Sequence, residues 1–325
     1  MKAMLKRFYK NTWLGQVVLR PIKRLYDFIY YHYVPEETVT KLDFKRFQGY
    51  ELDLKNPVTL NEKIQWLKLN DRTPLHTKCA DKYAVREYIK EVIGEEYLVP
   101  LLYQTLNPRD IIPGNLPDFP VIIKTNHDGS GGIVIKDKAA VDWRQVREKL
   151  KKRLRNNYYY TTKEWPYKNI KPCIIVEQLL IDERGGIPYD YKVHCFHQKV
   201  EMIQVDMDRG TSHHYRNWYN SRWEREPYKW SSMKDGRMTD PKDSDVEKPK
   251  SLDKMIALSE KLSKEFAYVR VDWYNINEKL FFGELTFSHD GGFSPIIPRE
   301  WDKHFGDKLI LPRKANYRTQ SRRMD

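Results

Sequence analysis

The sequence predicts an α+β protein built from antiparallel hairpins interleaved with amphipathic helices. Three observations lead there. Apolar runs of strand length come in pairs around short polar turns: PVIIK and IVIK, YKVHCF and KVEMIQVDM, YVRVDWY and LFFGELTF. Between the pairs lie stretches with an apolar period near 3.6, such as LDKMIALSEKLSKEF. The chain has 325 residues, 40% hydrophobic and 32% charged, enough for two or three compact domains with a sizeable core.

The elements follow in order. Residues 1–34 are rich in Lys, Arg and aromatics, and Pro21 predicts a break between two short helices. That stretch either packs on the main body or rests on anionic lipid headgroups. TLNEKIQWLKLN opens with Thr59 and has Glu62 three places on, a capping box before a helix. Residues 80–93 read as a second amphipathic helix, stopped by Gly94. YLVPLLY is a short strand, and the Pro- and Gly-rich residues 107–119 are a loop between lobes. PVIIK, HDGSGG and IVIK form a hairpin with a glycine tip. Residues 142–156 are a basic helix, and CIIVEQLL is a buried strand. Residues 220–250 are polar and expected to be mobile. The last two strands turn at 275–279, and the basic tail after Leu311 is expected to fray.

Composition narrows the function. No stretch approaches the roughly 20 apolar residues of a spanning helix. The start, MKAMLKRFYKNTW, is basic but no apolar stretch of a secretory signal follows. Cys79, Cys173 and Cys195 are scattered and lack metal spacing, which suits reduced, buried thiols in a cytoplasmic protein. The net charge of +13 favours anionic partners: nucleic acid, acidic lipid, a phosphorylated ligand or an acidic polysaccharide.

The chemistry concentrates in three places. Arg270 and Asp272 share one strand face, as do Glu284 and Thr286 on the next strand. Asp272 and Glu284 therefore either hold a hard divalent cation or form a salt bridge with Arg270. Lys124 ends an apolar strand before Asp128-Gly129-Ser130-Gly131-Gly132, where glycines let backbone N–H groups approach phosphate oxygens. The loop is not a Walker P-loop, which needs GxxxxGK[ST] opening a helix. In IIVEQLLI an apolar strand ends in Glu177 and Gln178, which suit an adenine, and Asp190 after the glycine turn suits ribose hydroxyls; either acid alone also reads as structural.

Taken together, TLNEKIQWLKLNDRTPLHTKCADKYAVREYI, FPVIIKTNHDGSGG, PYDYKVHCF and YVRVDWYNINEKLFFGELTFSHDGGF resemble the ATP-grasp superfamily. They are most similar to its teichuronopeptide-biosynthesis type, associated with surface-polysaccharide genes. The resemblance spans roughly residues 45–310. It implies an ATP-grasp fold, two α+β lobes gripping ATP, after a basic helical extension at 1–44. The lobes would be an N-terminal lobe at 45–117, a lid at 118–182 and a C-terminal subdomain at 183–325. It implies ATP and Mg²⁺ as cofactors. Lys82, Lys124 and the Gly129–Gly132 loop would take the phosphates. Glu177, Gln178, Leu179 and Leu180 would take the adenine, and Asp190 the ribose. Asp272 and Glu284 would hold magnesium, with Thr286 where many relatives have Asn. Arg270 would stabilise the transferred phosphoryl group, with Lys192 beside it.

The reaction so implied is ligation of a carboxylate to an amine through an acyl phosphate. The partners would be a hexuronic acid of a surface polysaccharide or its precursor, and an amino acid or amine. Arg209, His213, Ser288, His289 and Asp290 are the acceptor-side residues, with Lys192, His194, His214 and Arg216 as further contacts. His194 and His197 diverge along a strand, which argues against a shared metal. The location would be cytoplasmic, with peripheral contact at an anionic membrane. Two other readings stand beside it. Asp206-Met207-Asp208 fits the Asp-x-Asp motif of sugar transferases that use a nucleotide sugar. A basic, aromatic-rich nucleic-acid binder would explain the charge, but no recognised nucleic-acid module is present, so no specific nucleic acid is expected.

Overall fold

The computed structural model describes residues 12, 13, 15–129, 131–183, 185–209, 211, 213–231 and 237–312. The chain forms two compact units, Met1–Glu51 and Leu52–Asp325. In the first, a π-turn (Gly15–Leu19) leads into helix α1 (Arg20–Tyr33), followed by α2 (Glu36–Gln48). Pro21 does not separate two helices. It sits in the first turn of α1, where a missing N–H leaves no bond unmade. No side chain of α1 is buried. Helix α2 stops at Gly49, whose positive φ of 81° lets its N–H reach the Lys45 carbonyl.

The second unit opens with α3 (Leu60–Asn70), α4 (Pro74–Ala80) and α5 (Val85–Val92). The capping box forms as the sequence implies. Glu62 N–H donates to Thr59 Oγ1 at 3.2 Å and Thr59 N–H to Glu62 Oε2 at 2.9 Å. Helix α5 starts later than expected. Asp81 Oδ1 accepts from the N–H groups of Tyr83 and Ala84, so residues 81–84 turn before the helix begins.

Two antiparallel sheets carry the rest. The first contains β1 (Leu101–Thr105), β2 (Val121–Thr125), β3 (Ile133–Ile135) and β4 (Ile174–Gln178), in the order β1-β4-β2-β3. Strand β4 lies between two neighbours and is buried on both faces, hence the continuous IIV run. Helix α6 (Trp143–Leu154) packs Val146 and Leu150 into the cluster of Ile123 and Val176. The short α7 (Tyr158–Thr162) follows.

The second sheet contains β5 (Asp190–Phe196), β6 (Lys199–Met207), β7 (Tyr215–Tyr219), β9 (Tyr268–Ile276) and β10 (Lys279–Thr286), in the order β10-β9-β5-β6-β7. Strands β8 (Lys229–Trp230) and β11 (Ile296–Ile297) pair separately. Helices α5 and α8 (Leu252–Leu262) pack Ile89, Met255 and Leu258 into one core with Val193, Val271 and Trp273. Helices α3 and α9 (Glu300–Lys308) join a second core with Trp218, Trp230 and Phe305. The segment expected to be a mobile polar loop is thus anchored by Tyr228 and Trp230, both buried. Trp230 Nε1 donates to the Ser294 carbonyl at 3.0 Å. The tail beyond residue 312 lies outside the described residues.

One face of α3 is polar yet buried: Asn61, Gln65 and Lys68 recur at helical spacing. Asn61 N–H and Nδ2 both donate to the Asp302 carboxylate at 3.0 Å, tying α3 to α9.

His76 on α4 gives a pH dependence. It is buried against Phe266 and Phe287, and burial lowers its pKa to about 4 from 6.5. The unfolded chain therefore binds this proton first as pH falls, so acid favours unfolding. The wild type should lose about 3 kcal/mol of stability between pH 6.5 and 4 through this group. Urea unfolding of the wild type and His76→Gln across that range checks it. The excess acid sensitivity should vanish in the variant.

Candidate functional site

The centre of the site is a row of charge on the second sheet, buried from Asp190 through Lys192 and Asp272 to Arg270. Arg270 Nε donates to Asp272 Oδ1 at 2.6 Å, and its Nη2 donates to Asp272 Oδ2 at 2.8 Å and to Glu284 Oε1 at 3.0 Å. Lys192 Nζ bridges Asp272 Oδ2 at 2.5 Å and Asp190 Oδ2 at 2.6 Å. Arg209 completes the row on Asp190. Three carboxylates thus alternate with three cations. Burial raises the Asp272 pKa, against the pull of Arg270 and Lys192. Burial also acts to raise that of Glu284, but Lys82, Arg270, Lys192 and Arg209 together hold it at about 2.

A bulge aims Glu284. Phe282 pairs with Trp273 and Leu285 with Val271, so Gly283 and Glu284 together oppose Asp272. Glycine fits closely there, because a Cβ at 283 would lie 3.0 Å from the Asp272 carbonyl oxygen. Thr286, two residues on, donates to Glu284 Oε1 at 3.1 Å.

The first sheet supplies the facing wall. Lys124 on β2 pairs with Glu177 on β4 at 2.8 Å, and Arg86 on α5 reaches the same carboxylate at 3.2 Å. Lys82, Arg86, Lys124, Glu177, Phe282 and Gly283 line a cleft of about 10 Å³, so side chains from both sheets meet there. Lys82 is placed by Asn126. Its backbone N–H donates to the Asn126 carbonyl at 3.0 Å, and the Asn126 amide bonds Asp81, Lys171 and Cys173. Lys82 Nζ donates to the Asp128 carbonyl at the root of the glycine loop. A Cβ at Gly129 would meet the Tyr158 hydroxyl at 2.9 Å, while Gly131 has φ 72° and its carbonyl accepts from Arg153 at 2.8 Å. Gly132 abuts Ile122, and Ser130 lies outside the described residues. Gln178 and Leu179 give their N–H groups to the Pro100 and Pro120 carbonyls, and Leu180 is half-buried.

The SHDGG loop meets the row at Arg270. Gln65 Nε2 donates to the Gly291 and Gly292 carbonyls at 2.9 and 2.7 Å, and Lys68 Nζ to Gly291 at 2.9 Å. Arg270 Nη1 donates to His289 Nδ1 at 2.9 Å, so the imidazole proton is on Nε2, which is buried, lies 3.8 Å from Asp290 Oδ2 and has no hydrogen-bond partner among the described residues. Burial and Arg270 hold the His289 pKa well down. Ser288 is buried, its carbonyl accepting from Gly291, and Asp290 accepts from Ser294 at 2.8 Å. His213 is exposed on its turn. His194 is buried and meets Tyr268 Oη at 3.1 Å, while His197 lies in the turn beyond β5. Asp206 is bound by Arg216, His214 and Gln204, and Asp208 begins a turn at φ 54°, so the two do not offer a paired nucleotide-sugar site.

The sequence reading did not single out Gln65, Lys68, Asn126, Tyr158 and Glu164. The polar stripe of α3 was its available signal for the first two. Among the described residues no three or more His, Cys, Asp or Glu gather as metal ligands. Asp272 and Glu284 nonetheless converge on one guanidinium, with the Thr286 hydroxyl beside them. That donor set fits Mg²⁺, which takes one or two carboxylates and completes its shell with phosphate oxygens and water. The three cysteines are free and buried, and burial pushes their thiols up to about 11 or 12.

The chain belongs to the TupA-like ATP-grasp family, whose profile matches residues 62–310. No curated protein matches. Similar solved structures include a D-alanine–D-alanine ligase from Bacillus anthracis, at 13% identity and TM-score 0.38, covering 64% of this chain and 57% of that one. An L-amino acid ligase from Bacillus licheniformis gives 11% identity and TM-score 0.41, covering 80% and 57%. An N5-carboxyaminoimidazole ribonucleotide synthetase with ADP gives 14% identity and TM-score 0.41, covering 70% and 51%. The chain thus spans little more than half of each of these proteins.

Gly283→Ala should crowd the Asp272 backbone and lower stability by about 1–3 kcal/mol, read by urea unfolding.

Proposed function

We propose that this protein is an ATP-dependent carboxylate–amine ligase working through an acyl phosphate. The observation that carries the reading is the Arg270-bridged pair of Asp272 and Glu284, with Lys82 also acting on Glu284, in a chain of the ATP-grasp family. Lys82, Lys124 and the Gly129–Gly132 backbone bind the nucleotide phosphates. Glu177 and the residues after it line the adenine, and Asp190 the ribose, once Arg86 and Lys124 release the Glu177 carboxylate. Asp272 and Glu284, with Thr286, hold Mg²⁺, which supplies charge neutralisation at the phosphates when bound. Arg270 and Lys192 keep positive charge where the γ-phosphoryl group meets the substrate carboxylate. The lid, at 118–182, excludes water from the acyl phosphate. The C-terminal region from 183 carries the acceptor loop of Ser288, His289 and Asp290.

The acceptor is read as a hexuronic acid of a surface polysaccharide or its precursor, and the amine as an amino acid. The net charge of +13 supports an acidic acceptor. ADP release from ATP and Mg²⁺, with glucuronate and a panel of amino acids, tests this. Release should need both partners, and Asp272→Ala or Glu284→Ala should lower it at least about 100-fold. ATP binding without turnover would reject the substrates. No ATP binding would reject the ligase.

The location is read as cytoplasmic and peripheral to an anionic membrane. Ile22, Leu25, Ile29 and Tyr33 form an exposed stripe along α1, with Arg20, Lys23 and Arg24 on the same helix. No helix among the described residues is long and apolar enough to cross a membrane. The protein should float with phosphatidylglycerol vesicles and not with phosphatidylcholine vesicles. Ile22→Asp with Ile29→Asp should abolish flotation.

A further inference from the structure

A groove of about 350 Å³ runs where the 3-10 turn Pro108–Asp110 meets helix α6. Arg109, Arg144, Arg147 and Lys151 line it, and Glu148 is its one acid. Ile123 of β2 packs with Val146 and Leu150 of α6, and Lys124, next along the strand, points to the other face. The sheet therefore separates the groove from Lys124. Arg109 and Arg144 form no ion pair among the described residues. Asp110, beside Arg109 in sequence, is engaged by Thr105 Oγ1 at 2.5 Å. Arg147 gives one N–H to the Ile111 carbonyl at 3.4 Å, and Glu148 lies 3.9 Å from Lys151. Helix stability does not account for this charge. Lys151, Lys152 and Arg153 in the last turn of α6 suit the helix dipole, but Arg144 in the first turn opposes it, and no acid in that turn offsets it. Like charges three and four residues apart also repel.

We propose that this groove docks an acidic polysaccharide chain by the carboxylates of its uronic-acid units, apart from the nucleotide site. This rests on the reading of the acceptor as a hexuronic acid, and it makes that acceptor a polymer. Arg144, Arg147 and Lys151 recur every three or four residues, so their charges stand about one helical turn of 5.4 Å apart. They form a line rather than a point. A chain with a carboxylate on each sugar ring offers the matching line, whereas a nucleotide sugar concentrates its charge at one diphosphate. Guanidinium forks pair with carboxylates through two parallel hydrogen bonds. No residue lining the groove is aromatic, so bases of a single-stranded nucleic acid would find nothing to stack on. The volume is at the small end of ligand sites, which suits a short stretch of a longer chain.

Fluorescence anisotropy with a labelled oligogalacturonate tests the groove without any turnover. Arg109, Arg144 and Lys151 are exposed, so Arg109→Ala, Arg144→Ala and Lys151→Ala can be combined in one chain without disturbing a core. That triple variant should bind the oligomer about tenfold more weakly than the wild type. Arg109→Lys with Arg144→Lys keeps the charge and loses the forks, and should fall between the two. In the ADP assay the triple variant should raise KM for the oligomer by a similar factor, with kcat unchanged and glucuronate-driven release unchanged. No binding by the wild type, or equal binding by the triple variant, overturns the proposal. Tighter groove-dependent binding of single-stranded DNA than of the oligomer also overturns it, since the surface would then be one for nucleic acid. Loss of glucuronate-driven ADP release in the triple variant overturns it as well, because the groove would then serve the nucleotide reaction or the fold. Groove-dependent oligomer binding by a wild type that releases no ADP keeps the docking site and rejects the ligase reading.

Discussion

The constraint on which the site depends is Arg270, a guanidinium buried in β9 and shared by two carboxylates on adjacent strands. Burying such charge is unfavourable unless the geometry satisfies it on every side. Here Asp272 takes two of the arginine's N–H groups, Glu284 shares one of them, and His289 accepts another. The bulge at Gly283 and Glu284 exists within that requirement. Regular pairing would put successive β10 side chains on alternate faces at fixed spacing. One extra residue opposite Asp272 re-aims Glu284 towards the guanidinium. Lys192 then extends the row to Asp190, and Arg209 ends it. Three negative and three positive groups leave the row close to neutral.

That neutrality bears on how the proposed ligands arrive. A divalent cation alone would add charge to a balanced row. Nucleotide phosphates alone would add the opposite charge. Phosphates and cation together disturb the balance least, which suits two carboxylates rather than a closed set of three or more protein ligands. Glu284 also has room for this role, since its side chain is 36% exposed where Asp272 is almost wholly buried.

Much of this was legible in the sequence because period-2 patterning is strict. Arg270 with Asp272, and Glu284 with Thr286, share faces by spacing alone, and the β9–β10 turn brings the strands together. The capping box at Thr59 and the stop at Gly94 are equally local, so residue type decides them. Family membership was legible from the order of several individually weak phrases. The bulge was signalled only by a lone glycine in FFGELT, a cue that has many explanations. Pro21 was misread because the same residue breaks a helix in its interior and begins one in its first turn. The start of α5 depends on Asn126, which lies 41 residues beyond Val85 and holds the Asp81–Lys82 turn through Asp81 and the Lys82 N–H. No local pattern contains that contact.

Glu164 belongs to the same class of non-local feature. In sequence it is one acid in TTKEWPY, with nothing to distinguish it from a solvated turn residue. Its setting comes from four elements separated along the chain: α3, α7, β9 and β10. Each brings a charge or ring for its own reason. Lys68 fixes the acceptor loop, Arg270 fixes the acids, and Tyr158 stands over Gly129. The carboxylate left over where they meet has no ion-pair partner among the described residues.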